Sequence, residues 1–216
     1  VDLLKSSRAA SQFFLNLKLA KSSSKAQGHC VIYWGGVLNS KLTVLLKKHL
    51  ADWQVPLVEK VATQSFVTPQ GRVTVLIAGH FDSTAETAGH NSKLKSSAFG
   101  QARDLCGSWL RSQKGPGRVD FIFGQASENE VVGALAGLGL ASYRFLDAAK
   151  GTEAKWEWSF SRVGGRLPDS WLDRAQALYS AMNLARHLTN LPAAVANPAD
   201  LAEACGLFFK GRKGLK

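Results

Sequence analysis

The chain has 216 residues, 45% of them hydrophobic, with six tryptophans and a formal net charge of +11. This length and apolar content suit a packed core that needs no covalent staples, and they exclude an intrinsically disordered chain. The three cysteines, Cys30, Cys106 and Cys205, are widely spaced and in no CxxC pair, and no apolar run reaches membrane-spanning length; a disulfide scaffold, a zinc knuckle and a membrane span are therefore not expected.

The basic excess is uneven. The first fifty residues hold eight Lys or Arg against one acid, Asp2, and the last stretch carries Lys210, Arg212, Lys213 and Lys216 without an acid. Such a field attracts polyanions, so a nucleic-acid partner is kept as an alternative, although no motif names a groove-reading element. The chain begins at Val1 and ends on Gly-Leu-Lys, which reads as a fragment cut at both ends.

Residues 11–19 alternate around Phe13, Leu15, Leu17 and Leu19, a strand signal, and 21–27 read as a turn. Residues 30–34 form a short apolar strand ended by Gly35-Gly36. A helix is expected over 41–53, capped by Ser40, with Leu42, Leu45, Leu46, His49 and Leu50 on one side. Phe66-Val67 and the wholly apolar run 73–78 read as strands around the Pro69-Gln70-Gly71 turn; the second has the composition of a strand covered on both faces.

Polar residues 84–97 read as a loop. Residues 99–113 then give a helix carrying Ala102, Leu105, Cys106, Trp109 and Leu110, broken by Gly115-Pro116-Gly117. Residues 119–123 read as a strand, 129–145 as a helix and 156–160 as a strand, before a break at Gly164-Gly165 and Pro168. A long helix follows from Trp171, with Leu178, Ala181, Met182, Ala185 and Leu188 as its expected apolar face. Asn190 and Pro192 stop it, because the residue before a proline is pushed out of the helical region. Asn197 can cap a further helix with Pro198 at its first position. Strands alternating with helices predict βαβ units around a mixed, mostly parallel sheet, hence an α/β fold.

Several groups could carry chemistry. His80, Asp82 and His90 could ligate a metal, but the reading preferred is a strand end with polar loop residues. Gly133, Gly137 and Gly139 lie inside a helical pattern, too far beyond the preceding strand for a phosphate loop, so close packing of helix on sheet explains them better. Cys106 sits on an apolar helix side with no histidine near it in sequence and reads as structural. Trp156 and Trp158 flank Glu157; the expectation is one ring inward and one outward, at an edge or interface rather than a base-stacking platform.

The run Ala185-Arg186-His187-Leu188-Thr189-Asn190-Leu191-Pro192, followed by Ala196-Asn197-Pro198-Ala199-Asp200-Leu201-Ala202, resembles the interdomain join of the leucine aminopeptidase (cytosol aminopeptidase) family. The family pattern is A-R-D-L-x-N-x-P, then T-P-x-x-L-A; here His187 stands for the usual Asp and Asn197 for the usual Thr. His187 is expected to pack or hydrogen-bond at the join rather than to catalyse. The resemblance extends back through residues 99–111 and 119–123, and through Glu130, Gly133, Leu135 and Gly139 to Tyr143-Arg144-Phe145.

The resemblance implies a macro-domain-like three-layer N-terminal domain over 1–165, then a linker helix and the start of a catalytic domain over 166–216. It implies a structural join at Arg186, Asn190, Pro192, Asn197 and Pro198. Family members are cytoplasmic, typically hexameric peptidases that remove N-terminal residues such as Leu using two divalent ions, zinc or manganese. The tripeptide Phe81-Asp82-Ser83 is like part of the family's metal motif, but it lacks the two glycines that follow and lies before the join; the N-T-D-A-E-G-R-L signature is absent. No catalytic, metal or cofactor residue is therefore expected in this chain, whose partner would be its own catalytic domain. A stand-alone macro-like module binding a nucleotide or ADP-ribose is the other alternative. Past Pro192, the apolar residues Leu201, Leu207, Phe208 and Phe209 are expected to lack their natural partner.

Overall fold

In the computed structural model of the chain, residues 28–35, 39–60, 63–69, 71–78, 97–114, 117–150 and 156–209 are described. The expectations for 11–19, for 21–27 and for His80, Asp82 and His90 fall outside them. Five strands form one sheet: β1 (Gly28–Gly35), β2 (Thr63–Thr68), β3 (Gly71–Ala78), β4 (Arg118–Phe123) and β5 (Glu157–Arg162). Their order is β2-β3-β1-β4-β5. Pairings β1–β3, β1–β4 and β4–β5 are parallel, while β2 runs antiparallel to β3 across the turn at Pro69. Gly71 opens β3 at φ 130°, a conformation that glycine adopts without strain.

Among the described residues, six helices accompany the sheet: α1 (Ser40–Leu46), α2 (Ala98–Arg111), α3 (Glu128–Ser142), α4 (Phe145–Ala149), α5 (Asp169–Asn190) and α6 (Pro198–Phe209). The period-two pattern of the strands divides the core into two layers. On one face Val31, Tyr33, Leu76, Phe121, Phe123 and Phe160 pack against α2, α3 and α5. On the other, Ile32, Trp34, Val73, Val75 and Ile77 meet Leu42, Leu45 and Leu46 of α1, with Val55 and Val58 of the 3-10 turn Val55–Lys60. The sheet is thus mixed, mostly parallel and layered between helices, as expected.

Three local expectations are corrected. The helix expected over 41–53 ends at Leu46, and its cap is Asn39, whose Oδ1 accepts from the Lys41 and Leu42 backbone N–H groups at 3.1 and 3.2 Å. Beyond it, the Lys48 and His49 N–H groups reach back only three residues, which tightens the chain into turns. The helix expected over 129–145 stops at Ser142, because Tyr143 takes an extended conformation (φ −65°, ψ 127°) before the short α4. Trp156 and Trp158 lie together, ring centroids 5.5 Å apart, since residues two apart on a strand share a face. Trp158 is buried and stacked on Phe160, so it offers no platform for bases.

Helix α3 holds this arrangement together. Ser127 and Glu130 form a capping box at its start, and every residue from Val131 to Gly139 is buried. A helix buried all round needs neighbours that come close on several sides. Gly133 and Gly137 provide this toward α2: a Cβ on either would collide with the backbone of Phe99 or Arg103 respectively. Gly139 does the same toward α5, where a Cβ would lie 2.5 Å from the Tyr179 ring. The three glycines therefore serve packing, as expected, but of helix on helix rather than helix on sheet.

Gly137→Ala is expected to lower unfolding stability by about 1–3 kcal/mol, as overpacking does, despite alanine's better helix propensity. Gly206→Ala on α6, where a Cβ meets nothing within 4 Å, should be neutral or stabilising by up to about 1 kcal/mol. Urea denaturation of the two variants beside the native chain measures the contrast.

Candidate functional site

The resemblance in the sequence points to the far end of α5, and there the structure brings together a buried polar corner. The α5 face expected to be buried is the wrong one. Ala181 and Ala185 are exposed, Leu178 and Met182 are 38% and 44% exposed, and only Leu188 of that set is partly covered. The buried face instead carries Leu172, Ala175, Tyr179, Ser180, Asn183, Leu184 and His187. Polar side chains on this face displaced the purely apolar stripe because each has a specific neighbour.

Asn183 Nδ2 donates to the Gly139 carbonyl at 3.1 Å, one of the last-turn carbonyls of α3, which lie beyond the reach of the helix's own backbone N–H ladder. The Ser142 hydroxyl donates to the same carbonyl at 2.9 Å. Arg186 Nη1 donates to the Leu140 carbonyl at 3.0 Å, and its guanidinium lies 5.1 Å above the Tyr143 ring. The side chains of α5 thus cap the C-terminus of α3.

His187 is fully buried at the centre of the corner. Its Nδ1 is 3.1 Å from the Tyr143 hydroxyl, its ring is edge-on to Tyr143, and it lies 5.4 Å from the Phe145 ring. Burial depresses its pKa below the ordinary histidine value, which favours the neutral ring. Among the described residues, its Nε2 and the Asn183 Oδ1 have no hydrogen-bond partner. His187 therefore packs and hydrogen-bonds, as its sequence context implied. Tyr143 and Asn183 were missed by the sequence reading, although a lone Asn at core spacing in a long helix was a usable signal.

Beyond the corner, α5 ends at Asn190 and Leu191 turns extended (φ −70°, ψ 141°) ahead of Pro192, the proline effect expected. The Pro192 carbonyl accepts from the Val195 and Ala196 N–H groups at 2.9 and 3.0 Å, closing a turn. Asn197 Oδ1 then accepts from the Asp200 N–H at 3.0 Å, and Pro198 is the first residue of α6. Leu191 and Ala204 are buried in a small cluster with Phe145, Leu188, Val195 and Ala196. Leu201 is partly covered; the side chains of residues 207–209 lie outside the described residues.

The other candidates are not drawn together. Gly133, Gly137 and Gly139 are sealed between helices. The α3 N-terminus is occupied by the Glu130 carboxylate, which accepts from the Ser127 N–H at 2.8 Å, and an anion there would meet that negative charge. Cys106 is fully buried, and burial pushes its thiol pKa up, the opposite of an activated nucleophile. Among the described residues, no group of three or more His, Cys, Asp or Glu side chains could hold a metal ion. No helix among them is long and apolar enough to cross a membrane.

No family model and no curated protein matches the sequence. The fold, however, is shared with a defined class of proteins, the leucyl aminopeptidases. The particular structures include an M17 aminopeptidase from Trypanosoma brucei (TM-score 0.60, 12% identity) and leucyl aminopeptidase from Leishmania major in complex with actinonin (0.61, 11%), each matched over 96% of this chain. Tomato leucine aminopeptidase is matched over 82% of the chain, at TM-score 0.53 and 16% identity. These alignments cover 43%, 42% and 38% of the respective structures, so the chain spans about two fifths of their length. At such identities the likeness is one of fold.

Tyr143→Phe removes the hydroxyl that faces His187 and leaves Nδ1 without this partner in a buried place. The expected cost is about 1–3 kcal/mol of unfolding free energy, measured by urea denaturation at pH 7.5.

Proposed function

We propose that this chain is the non-catalytic N-terminal domain of a leucine aminopeptidase-like metallo-exopeptidase, together with its linker helix. The observation that carries the proposal is the fold match over 96% of the chain to about two fifths of solved leucyl aminopeptidases. The family-like spacing from Arg186 to Pro198, which lies on two helix ends and a turn, supports it. Residues 1–165 are the α/β domain on this reading. Residues 166–216 are the linker, which returns onto α3, and the start of the catalytic domain, with Arg186, Asn190, Pro192, Asn197 and Pro198 as the join.

The parent protein would be a cytoplasmic, oligomeric hydrolase that removes N-terminal residues, Leu preferred, from peptides. Two divalent ions, zinc or manganese, would activate water and polarise the scissile carbonyl when bound. By the resemblance, the ligands for such ions would come from motifs of the catalytic domain, and no catalytic step would fall to this chain. Its own task would be to hold the linker in place and to shape access to that domain or contacts with neighbouring subunits.

The test is an assay on leucyl-p-nitroanilide with added zinc or manganese. The expected result is metal-dependent turnover by the parent polypeptide and none by this chain alone. Turnover proportional to the amount of the purified chain would overturn the assignment of a non-catalytic role. A parent polypeptide without aminopeptidase activity would overturn the assignment of the parent.

A further inference from the structure

The buried corner around His187 has a property that the proposed role does not use: it holds a histidine in a place with no answer to a positive charge. The groups that line the corner come from every side. From α5 itself come Asn183, which reaches the Gly139 carbonyl, and Arg186 and Asn190, which reach Tyr143. The segment after α3 supplies Tyr143 and Phe145, with exposed Arg144 between them. The α3 end supplies the Gly139 and Leu140 carbonyls and the Ser142 hydroxyl, all of which already accept or donate within the corner. The α6 side supplies Leu191 and Ala204, with half-buried Cys205 nearby on that helix. The charged groups among these, Arg186 and Arg144, are both cations, and among the described residues no carboxylate pairs with the ring.

We propose that His187 is a proton-controlled latch: proton uptake on its buried ring releases the last turns of α5, and α6 with them, from the Tyr143–Phe145 corner. The geometry gives the reason. A neutral ring needs one acceptor and one donor contact, and Tyr143 supplies one of them. A protonated ring carries N–H on both nitrogens. Asn183 Oδ1, one helical turn away, makes no hydrogen bond to Nε2, and its amide is tied by Nδ2 to the Gly139 carbonyl. A cation fixed in this apolar corner is therefore strongly disfavoured, while in the opened corner water solvates it.

The direction of the effect follows by linkage. The folded-state pKa lies below the unfolded value of 6.5, so the native state takes up fewer protons than the unfolded state. The stabilisation is fully present above pH 6.5, and it declines as the pH falls below that value and on through the folded pKa. The buried edge-on contact with Phe145 and the Leu191–Ala204 cluster connect this loss to the start of α6.

The test compares the native chain with His187→Gln, which keeps a polar side chain that cannot titrate. Two other histidines also respond to acid, since burial and Arg72 hold His29 down at about 4 and burial lowers His49; the comparison cancels their contribution. Between pH 7.5 and 5.5 the folding equilibrium constant of the native chain should fall up to about tenfold more than that of the variant. Equal pH dependence in the two would overturn the proposal. If the variant does not fold, NMR titration of the His187 ring in the native chain decides. A midpoint below 6.5, with amide exchange in residues 184–190 and 198–204 rising as the ring titrates, supports the latch. A midpoint at or above 6.5, or titration with no change in that exchange, overturns it.

Discussion

The close approach of α3 to its neighbours is the contact on which the rest of the described fold depends. Three glycines inside one helix are costly for helix stability, each by about 1 kcal/mol relative to alanine. Their positions explain the cost. Gly133 and Gly137 bring α3 against the backbone of α2, and Gly139 brings it under the ring of Tyr179 on α5. With α3 in place, the inner faces of β1, β4 and β5 are closed over by one apolar layer that includes Phe121, Phe123, Trp158 and Phe160. If α3 stood further out, the sheet would lose that cover and α5 would lose its seat.

The same helix organises the corner beyond it. Its last carbonyls, at Gly139 and Leu140, lie beyond the backbone ladder of α3, and α5 supplies donors to them through Asn183 and Arg186. This is helix capping done by a neighbouring helix, and it explains why α5 buries Asn183 and His187 rather than its more apolar face. Leu178 and Met182 are left on the outside with Ala181 and Ala185. The long helix is therefore held by specific hydrogen bonds as much as by apolar contact, and its direction sets where the turn at Pro192 and the start of α6 emerge.

Much of the fold was legible in the residues. The runs at 30–34, 73–78 and 119–123 are apolar apart from Thr74 and Asp120, because these strands have helices over both faces, and each became a strand with parallel neighbours. The helix with Leu105, Cys106, Trp109 and Leu110 buries those residues, and the proline at 192 ended α5 where the backbone rule requires. The failures have physical causes too. Periodicity counts apolar residues, so it chose the Leu178–Met182 side of α5 and could not weigh unpaired carbonyls on another helix that only tertiary structure brings near. Asn39 and Ser40 are adjacent cap formers, and sequence alone does not say which one leaves the helical conformation. The corner pairs Tyr143 with His187, 44 positions away; no local pattern encodes it, whereas the helix stop before Pro192 and the helix start at Pro198 follow from local residues.

The account stands on α5 being part of the α/β body, docked through Tyr179, Asn183 and His187, rather than a free arm. Native-state hydrogen exchange at pH 7.5 tests this most directly, by comparing the amides of residues 179–187 in α5 with those of 131–138 in α3. Protection in the two stretches is expected to agree within about tenfold, as it does for elements that open together in one cooperative unit. Exchange in α5 faster than in α3 by several orders of magnitude would mean that the helix opens independently, and the corner would then not be what positions the turn at Pro192.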